Sequence, residues 1–371
     1  MRAGRPGHEG PPAGPAQSPC HGGRRQALHL ALGLGLAMAC DLARPMPERR
    51  AQQPVRGGLD WRERALIAFG TTVWVRAGHA QADAVEAALD AAAAAVQRVD
   101  QQMSLFRPDS AVSCLNRNGR LHRPDPELVA LLRVARQVAA HCGGSFDPTV
   151  QPLWRLWQQA HAQGRRPSAS ELRAARSLVG WRDLLVSDDE VRLARPGMAI
   201  TLNGIAQGHA ADMASQALTR HGVVDALLDT GEWMPMGRPP IDRRGSAPGP
   251  WRLGVADPHA PHQLLGELQS DGRALACSSD DKLAFSADRR DHHILDPHSG
   301  TSPTQLSTVV VAATSATLAD ALTKPMFMGS LADALALARH WQVDVLAVDK
   351  QGRMRASPGM PWRQGRRATP P

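Results

Sequence analysis

Apolar residues follow the period of an α-helix near the start of the chain's regular part. Their spacing alternates between four and three residues, which places them on one face of a long helix. They are Val85, Leu89, Ala92, Val96, Val99 and Met103. Core packing accounts for this face. A second helix is predicted to begin at Asp125-Pro126, a capping residue followed by proline at the first helical position, and to end at Gly143-Gly144.

Short apolar runs elsewhere in the chain indicate β-strands. They fall at 65 to 76, 198 to 202, 224 to 229, 252 to 256, 306 to 313 and 343 to 348. A third helix, from about Ala206 to His221, is expected to end at Gly222, and a fourth contains Asp320. Strands and helices do not alternate strictly, so the order predicts an α+β fold with a largely antiparallel sheet flanked by helices.

The two ends of the chain differ in composition from its centre. Pro, Gly and Arg dominate residues 1–57 and again from about 352 to 371, so both ends are expected to be poorly ordered. We therefore divide the chain into a leader at 1–57, one folded domain at 58–350 and a basic tail at 351–371. The net charge of +8 resides in the ends, because the centre carries about −3. This distribution argues against a basic groove for nucleic acid.

An export signal is predicted within the leader. Arg24-Arg25 precedes an apolar run from Ala27 to Ala39, which is typical of a twin-arginine signal and too short to span a bilayer comfortably. We expect cleavage and a periplasmic protein, with lipid attachment at Cys40 as the alternative. Three cysteines remain beyond the leader, too few and too scattered for a zinc site or a disulfide framework.

Five short segments carry the candidate chemistry. They are MSLFRPDS at 103–110, GSFDPTV at 144–150, LNGIAQGHA at 202–210, HILDP at 293–297 and LADAL at 318–322. Together and in this order they resemble the FAD:protein FMN transferases, the thiamine-biosynthesis lipoprotein family of bacteria, over about residues 65 to 349. The resemblance implies a single T-fold-like domain of the ApbE type. It also implies transfer of FMN from FAD to a Thr or Ser of a target protein, with release of AMP and with Mg²⁺ as cofactor.

The segment around Gly204 stands between an apolar run and a helix. Free backbone N–H groups at such a junction suit a pyrophosphate, although a plain tight turn explains the segment equally well. The resemblance implies that the carbonyl of Gly204 ligates the metal and that Gln207 and Thr201 lie against FAD.

The segment at 144–150 follows a helix end, where a turn offers backbone amides beside an apolar ring. An ordinary helix ending with a buried Phe is the alternative. The resemblance implies that Ser145, Phe146 and Asp147 line the FAD site. The remaining cofactor-binding residues implied in this way are Phe69, Phe106 and Val309. The chain contains no Tyr, so aromatic stacking must come from Phe, Trp or His.

His293 precedes Asp296-Pro297, a rigid corner where a neutral imidazole could accept a proton from an attacking hydroxyl. A packed or surface histidine is the alternative, and His292 adjoins it. The resemblance makes His293 the catalytic base.

A carboxylate at Asp320 must be paired, metal-bound or at the surface, because its helical neighbours are apolar. The resemblance makes Asp320 a Mg²⁺ ligand whose partner, usually Thr or Ser, lies four residues on. Here that position is Lys324, so Thr323, displaced by one residue, is expected to help Asp320 hold the ion. A salt bridge between Asp320 and Lys324 is the alternative to a metal site.

The resemblance also bears on the biological role. The leader, Gln207 and the run LDTGE at 228–232 are most similar to the branch that serves maturation of nitrous oxide reductase. We therefore expect a periplasm-facing target protein that bears an acceptor Thr or Ser. A non-catalytic FAD-binding accessory protein is the alternative function, and a secreted redox flavoprotein is a third.

Overall fold

A computed structural model describes residues 58–241 and 249–364 of the chain. The described helices are α1 (Ala82–Met103), α2 (Ala111–Asn118), α3 (Pro126–His141), α4 (Gln151–Ala162), α5 (Ala169–Arg176), α6 (Ala206–Arg220), α7 (Ala316–Phe327) and α8 (Leu331–Trp341). The described strands are β1 (Asp60–Ala68), β2 (Thr71–His79), β3 (Arg120–His122), β4 (Leu184–Val186), β5 (Glu190–Leu193), β6 (Asp225–Asp229), β7 (Trp233–Met236), β8 (Arg252–Asp257), β9 (Ala260–Gln269), β10 (Ala274–Ser279), β11 (Leu306–Ala313), β12 (Asp344–Asp349), β13 (Met354–Ala356) and β14 (Trp362–Gln364).

The strands form one large sheet and two small ones. The large sheet has the order β1-β2-β6-β7-β10-β11-β12-β13, and every neighbouring pair in it is antiparallel. The small sheets have the orders β14-β9-β8 and β3-β5-β4. The prediction of an α+β fold with a largely antiparallel sheet is confirmed.

The predicted amphipathic helix is α1, and all six apolar positions of its predicted face are fully buried. It packs against β1, β2 and α6. The second predicted helix is α3, where the Asp125 side chain accepts a hydrogen bond from the amide of Glu127 at 2.8 Å. Gly143 and Gly144 follow the helix with positive φ. Capping and glycine chemistry thus set both ends of α3.

One predicted strand is in fact two strands, and another is not formed. The run 65 to 76 is a hairpin of β1 and β2, because Phe69 and Gly70 adopt φ values of 54° and 74° and reverse the chain. The run 198 to 202 is buried except at Thr201, which is partly exposed, and it forms no strand. The Asn116 side chain takes the place of a strand partner there: its Oδ1 accepts from Ile200 N at 2.7 Å and its Nδ2 donates to Ile200 O at 2.8 Å.

The predicted end of the domain at 350 is also wrong. Strand β13 pairs with β12, and β14 pairs with β9. Between them Met360 is buried in an apolar cluster with Leu253, Leu268 and Leu346. Ser357 donates to Asp344 and accepts from the Val345 amide. These contacts could not be recognised from a stretch rich in Pro, Gly and Arg, because short strands derive their order from their partners.

The leader, with Arg24, Arg25 and Cys40, lies outside the described residues, as does the tail after 364. Within the described ranges, no helix combines the length and the apolar character needed to cross a membrane.

Candidate active site

The site begins where α6 and α7 approach each other most closely. An ideal Cβ on Gly208 would lie 2.2 Å from the Ala316 carbonyl oxygen, so the two backbones touch at a distance that only glycine permits. The amide of Gly208 donates to Asp320 Oδ2 at 3.2 Å. An amide near the α6 N-terminus, where we predicted a contact to pyrophosphate, thus binds a carboxylate of the protein itself.

Asp320 is fully buried and pairs with Lys324 one helical turn along α7. Lys324 Nζ lies 2.7 Å from Asp320 Oδ1 and 3.3 Å from the Asp320 carbonyl oxygen. The salt bridge that the sequence offered as the alternative to a metal site is therefore formed. An ideal Cβ on Gly204 would lie 3.0 Å from Lys324 Cε and 3.5 Å from the ring of Phe146. The structure thus brings together Gly204, Phe146, Asp320 and Lys324.

Glu232 is a second buried carboxyl at this site, and sequence reasoning missed it. It is 5% exposed and accepts a hydrogen bond from the Cys277 amide at 2.9 Å. Burial and then the neighbouring Asp320 raise the pKa of Glu232 well above its usual value, while Lys324 lowers it. The sequence signal that could have identified Glu232 is an acidic residue in the short connection between β6 and β7.

Gln207 holds the connection that carries Glu232. Its Nε2 donates to Thr230 O at 2.7 Å, and Thr230 Oγ1 donates back to Gln207 O at 2.8 Å. Gln207 therefore joins the start of α6 to the β6–β7 connection, and its side-chain amide is engaged by the protein.

Thr323 lies next to Asp320 on α7, and Val309 lies in β11, against which α7 packs. The Thr323 hydroxyl donates to Asp320 O at 2.7 Å and accepts from Ser278 Oγ at 2.8 Å. Val309 is fully buried in β11, directly opposite Ser278 of β10. These contacts support the helix that carries Asp320.

His293 lies on the loop that follows β10 and is half-buried. Its Nδ1 lies 3.1 Å from Leu283 O, and because a carbonyl oxygen only accepts, Nδ1 carries the proton. Burial first, then His292 and Lys324, lower the pKa of His293 to about 4. The imidazole is therefore neutral near pH 7, with an unprotonated Nε2 that can accept a proton.

The neighbouring His292 is engaged at both ring nitrogens. Its Nε2 donates to Pro303 O at 3.0 Å, and its Nδ1 accepts from the Ile294 amide at 3.3 Å. Among the described residues, the ring of His293 has a hydrogen bond at Nδ1 alone. The geometry thus distinguishes the two histidines, which the sequence did not.

Asp147 organises the turn that presents Phe146. Its Oδ1 accepts from the amide and the hydroxyl of Thr149 at 2.8 and 2.6 Å, and its Oδ2 accepts from Trp181 N at 3.0 Å. Burial raises the pKa of Asp147. Ser145 N donates to Cys142 O at 3.2 Å within the same turn.

Thr201 links this turn to the glycine segment. Its amide donates to Pro148 O at 2.8 Å, and its hydroxyl accepts from the Asn203 amide at 3.2 Å. The structure therefore joins the segments at 144–150 and 202–210, which lie far apart in the chain.

Phe69 lies in the β1–β2 turn, and the ring of Phe106 packs against the same turn at Gly70. The amide of Phe69 donates to Asp100 Oδ1 at 2.7 Å, and the Phe106 ring lies 2.8 Å from the ideal Cβ position of Gly70. Phe69 is buried, whereas Phe106 is 60% exposed and offers a free aromatic face. Phe69 thus contacts α1 and Phe106 contacts the β1–β2 turn, away from the salt bridge of Asp320.

The residues predicted to hold Mg²⁺ do not fit a divalent cation as they are arranged. Both Asp320 carboxylate oxygens and the Thr323 hydroxyl are engaged by the protein. An ammonium pairs with Asp320 at the position where a second ligand is expected, and it would repel a cation. Within the described parts of the chain, no group of three or more His, Cys, Asp or Glu side chains is arranged to hold a metal ion.

Known proteins resemble this chain over most of its length. The model of the ApbE family matches residues 69–347. The chain is 30% identical to the FAD:protein FMN transferase of Treponema pallidum over 80% of this chain and 87% of that protein. It is 27% identical to an FAD:protein FMN transferase of Klebsiella pneumoniae over 69% of this chain and 80% of that protein.

Solved structures share the fold. The ApbE protein of Thermotoga maritima superposes with a TM-score of 0.71 at 26% identity, covering 81% of this chain and 97% of that one. The flavinyl transferase ApbE of Pseudomonas stutzeri, in its apo form, gives a TM-score of 0.69 at 27% identity, with 82% and 97% covered. The match to the family model spans most of the folded domain and contains the site built from Gly204, His293 and Asp320, so this chain belongs to the ApbE family.

Proposed function

We propose that this chain is an FAD:protein FMN transferase, which moves the FMN half of FAD onto a Thr or Ser hydroxyl of a target protein and releases AMP. Relatives in the same family bear this name. The observation that supports the proposal most directly is His293, a neutral imidazole whose Nδ1 proton is engaged by Leu283 O and whose Nε2 is unprotonated. A group of this kind can activate a hydroxyl.

The proposed reaction is an in-line displacement at the FMN-side phosphorus of FAD. The target oxygen forms a bond to that phosphorus while the bond to the bridging pyrophosphate oxygen breaks, and the electron pair leaves with AMP. His293 Nε2 accepts the hydroxyl proton. The turns around Gly204 and Phe146 orient FAD, and the exposed face of Phe106 stacks on one of its rings.

The proposal extends to location and target. Arg24-Arg25 and the apolar run after them favour export to the periplasm, with cleavage before Cys40 or lipid attachment to it. Gln207 and Thr230, which carry part of the likeness to the nitrous oxide reductase maturation branch, bind each other at the site. A periplasm-facing protein of that redox system is the proposed target.

A second candidate is an accessory protein that holds or delivers FAD without transfer. The pairing of Lys324 with Asp320 favours it, because the ammonium occupies the position where the family resemblance implies a metal ligand.

Incubation of the chain with FAD and a candidate target separates the two functions. A transferase adds the mass of FMN to one Thr or Ser of the target and releases an equal amount of AMP. An accessory protein retains FAD and releases no AMP. His293→Ala should greatly slow the appearance of the mass increment, whereas the matched control His340→Ala, at an exposed position on α8, should leave its rate unchanged.

A further inference from the structure

Lys324 is placed at the boundary between buried charge and solvent. Its carboxylate partner Asp320 is fully buried, whereas 23% of the Lys324 side chain is exposed. Burying an unpaired carboxylate is costly, so Lys324 neutralises Asp320. Because the exposed part of its side chain reaches solvent, the ammonium can also meet a bound ligand.

One N–H donor of the Lys324 ammonium is available to a ligand. Its hydrogen bonds within the described structure go to Asp320 Oδ1 and to the Asp320 carbonyl oxygen. An ammonium has three N–H donors, so one remains for a ligand. The aliphatic stem of Lys324 passes beside Gly204, whose ideal Cβ position is 3.0 Å from Cε. Lys324 therefore lies beside the Gly204 turn, which is proposed to bind the FAD pyrophosphate.

The charge of Lys324 also reaches the proposed base. It is among the causes that lower the pKa of His293, and it lowers the pKa of Glu232 as well. Asp320 thus contacts this cation directly, and Glu232 and His293 lie within its electrostatic range. A cation beside the Gly204 turn can offset negative charge that develops when a phosphate bond breaks there.

We infer that Lys324 takes the place of a divalent cation in this chain: its ammonium binds the FAD pyrophosphate and neutralises the charge that develops on the leaving AMP. The inference rests on the proposed function. It follows that FAD binding and transfer need no metal. Lys324→Thr removes the ammonium and leaves two buried carboxyls, Asp320 and Glu232, together with a new hydroxyl. Oxygen donors of this kind suit Mg²⁺ or Mn²⁺, so the variant is expected to bind a divalent cation.

The test compares the full chain with Lys324→Thr in chelator and in Mg²⁺. For the wild type, chelator should change FAD affinity, measured by flavin fluorescence, and the transfer rate by less than about twofold. For Lys324→Thr in chelator, FAD affinity should fall by about tenfold or more, and Mg²⁺ should restore it. Mn²⁺ binding, measured by electron paramagnetic resonance without FAD, should appear in Lys324→Thr alone.

Lys350→Thr is the matched control. Lys350 also pairs with a fully buried carboxylate, Asp280, and its side chain is 17% exposed. Its loss should lower thermal stability without creating a metal requirement. Lys324→Arg keeps the positive charge and should retain FAD binding in chelator.

Loss of wild-type transfer in chelator with recovery in Mg²⁺ would overturn the inference, as would wild-type binding of Mn²⁺. These two measurements need no variant, so they decide the matter even if Lys324→Thr does not fold. If no target receives FMN under any condition but FAD affinity in chelator still depends on Lys324, the proposed transfer fails while the role of Lys324 in binding stands.

Discussion

Gly208→Ala should destabilise the chain more than an exposed glycine substitution, because α6 and α7 touch through their backbones at this residue. The added Cβ would lie 2.2 Å from Ala316 O, 2.6 Å from the Ala316 carbonyl carbon and 2.9 Å from Asp320 Cβ. Two of these atoms belong to the backbone and cannot rotate away. To restore ordinary van der Waals contact, α7 must move by about 1 Å.

The expected loss of stability combines three effects. Overpacking of this kind costs about 1 to 3 kcal/mol. The movement also lengthens the 3.2 Å bond from Gly208 N to Asp320 Oδ2 beyond hydrogen-bonding distance, and a bond to a charged acceptor contributes about 1.5 to 3 kcal/mol. Alanine returns about 1 kcal/mol through its higher helix propensity. The net loss is about 2 to 5 kcal/mol.

For a domain of this size that loss lowers Tm by roughly 4 to 10 °C, which thermal unfolding followed by circular dichroism can measure. Gly249→Ala is the control, because Gly249 is exposed and its ideal Cβ meets no atom of the described residues within 4 Å. Its Tm should change by less than about 1 °C. A Tm for Gly208→Ala equally close to the wild-type value would refute the backbone contact between α6 and α7.

Four further predictions concern the base, the pH dependence of stability, the flavin and the chain end. His293→Ala should slow transfer by about 100-fold or more while FAD affinity stays within about twofold, as measured by single-turnover rates and fluorescence titration. Burial lowers the pKa of both His292 and His293 from 6.5 to about 4, so the folded state disfavours their protonation. The free energy of unfolding should therefore have its full value above pH 6.5 and decrease as the pH falls from 6.5 towards 4, which denaturant titrations can measure. Phe106→Ala should weaken FAD binding by about 3- to 10-fold with no loss of Tm, since the ring is 60% exposed; an unchanged Kd would exclude stacking. A chain ending at Lys350 should unfold at a lower temperature than one ending at Gln364, because it lacks β13 and β14; equal Tm values would show that these strands add nothing.

Local patterns were sufficient for the elements whose order depends on neighbouring residues. The apolar period predicted α1, and a cap with proline predicted the start of α3 at Asp125. Both signals act within a few residues along the chain, so they can be recognised without knowing what the element packs against. The five motifs indicated the family in the same way, because each is contiguous.

Contacts between segments that are distant in the chain decided the features that local patterns could not predict. The run 198 to 202 has the composition of a strand, but Asn116 supplies its partner, so no ladder forms. Glu232 becomes a site residue because β7 and β10 are neighbours and bring it to the Cys277 amide.

The sequence by itself determined the family, the helical faces and the departure at Lys324. The tertiary structure alone decided what Lys324 does with its charge. The sequence shows only that a lysine lies four residues after an aspartate. That spacing is compatible with a solvent-exposed salt bridge and equally with a buried salt bridge that excludes a metal ion. The close approach of α6 at Gly208 buries Asp320 completely, and a buried carboxylate must be neutralised by the nearest cation, which is Lys324.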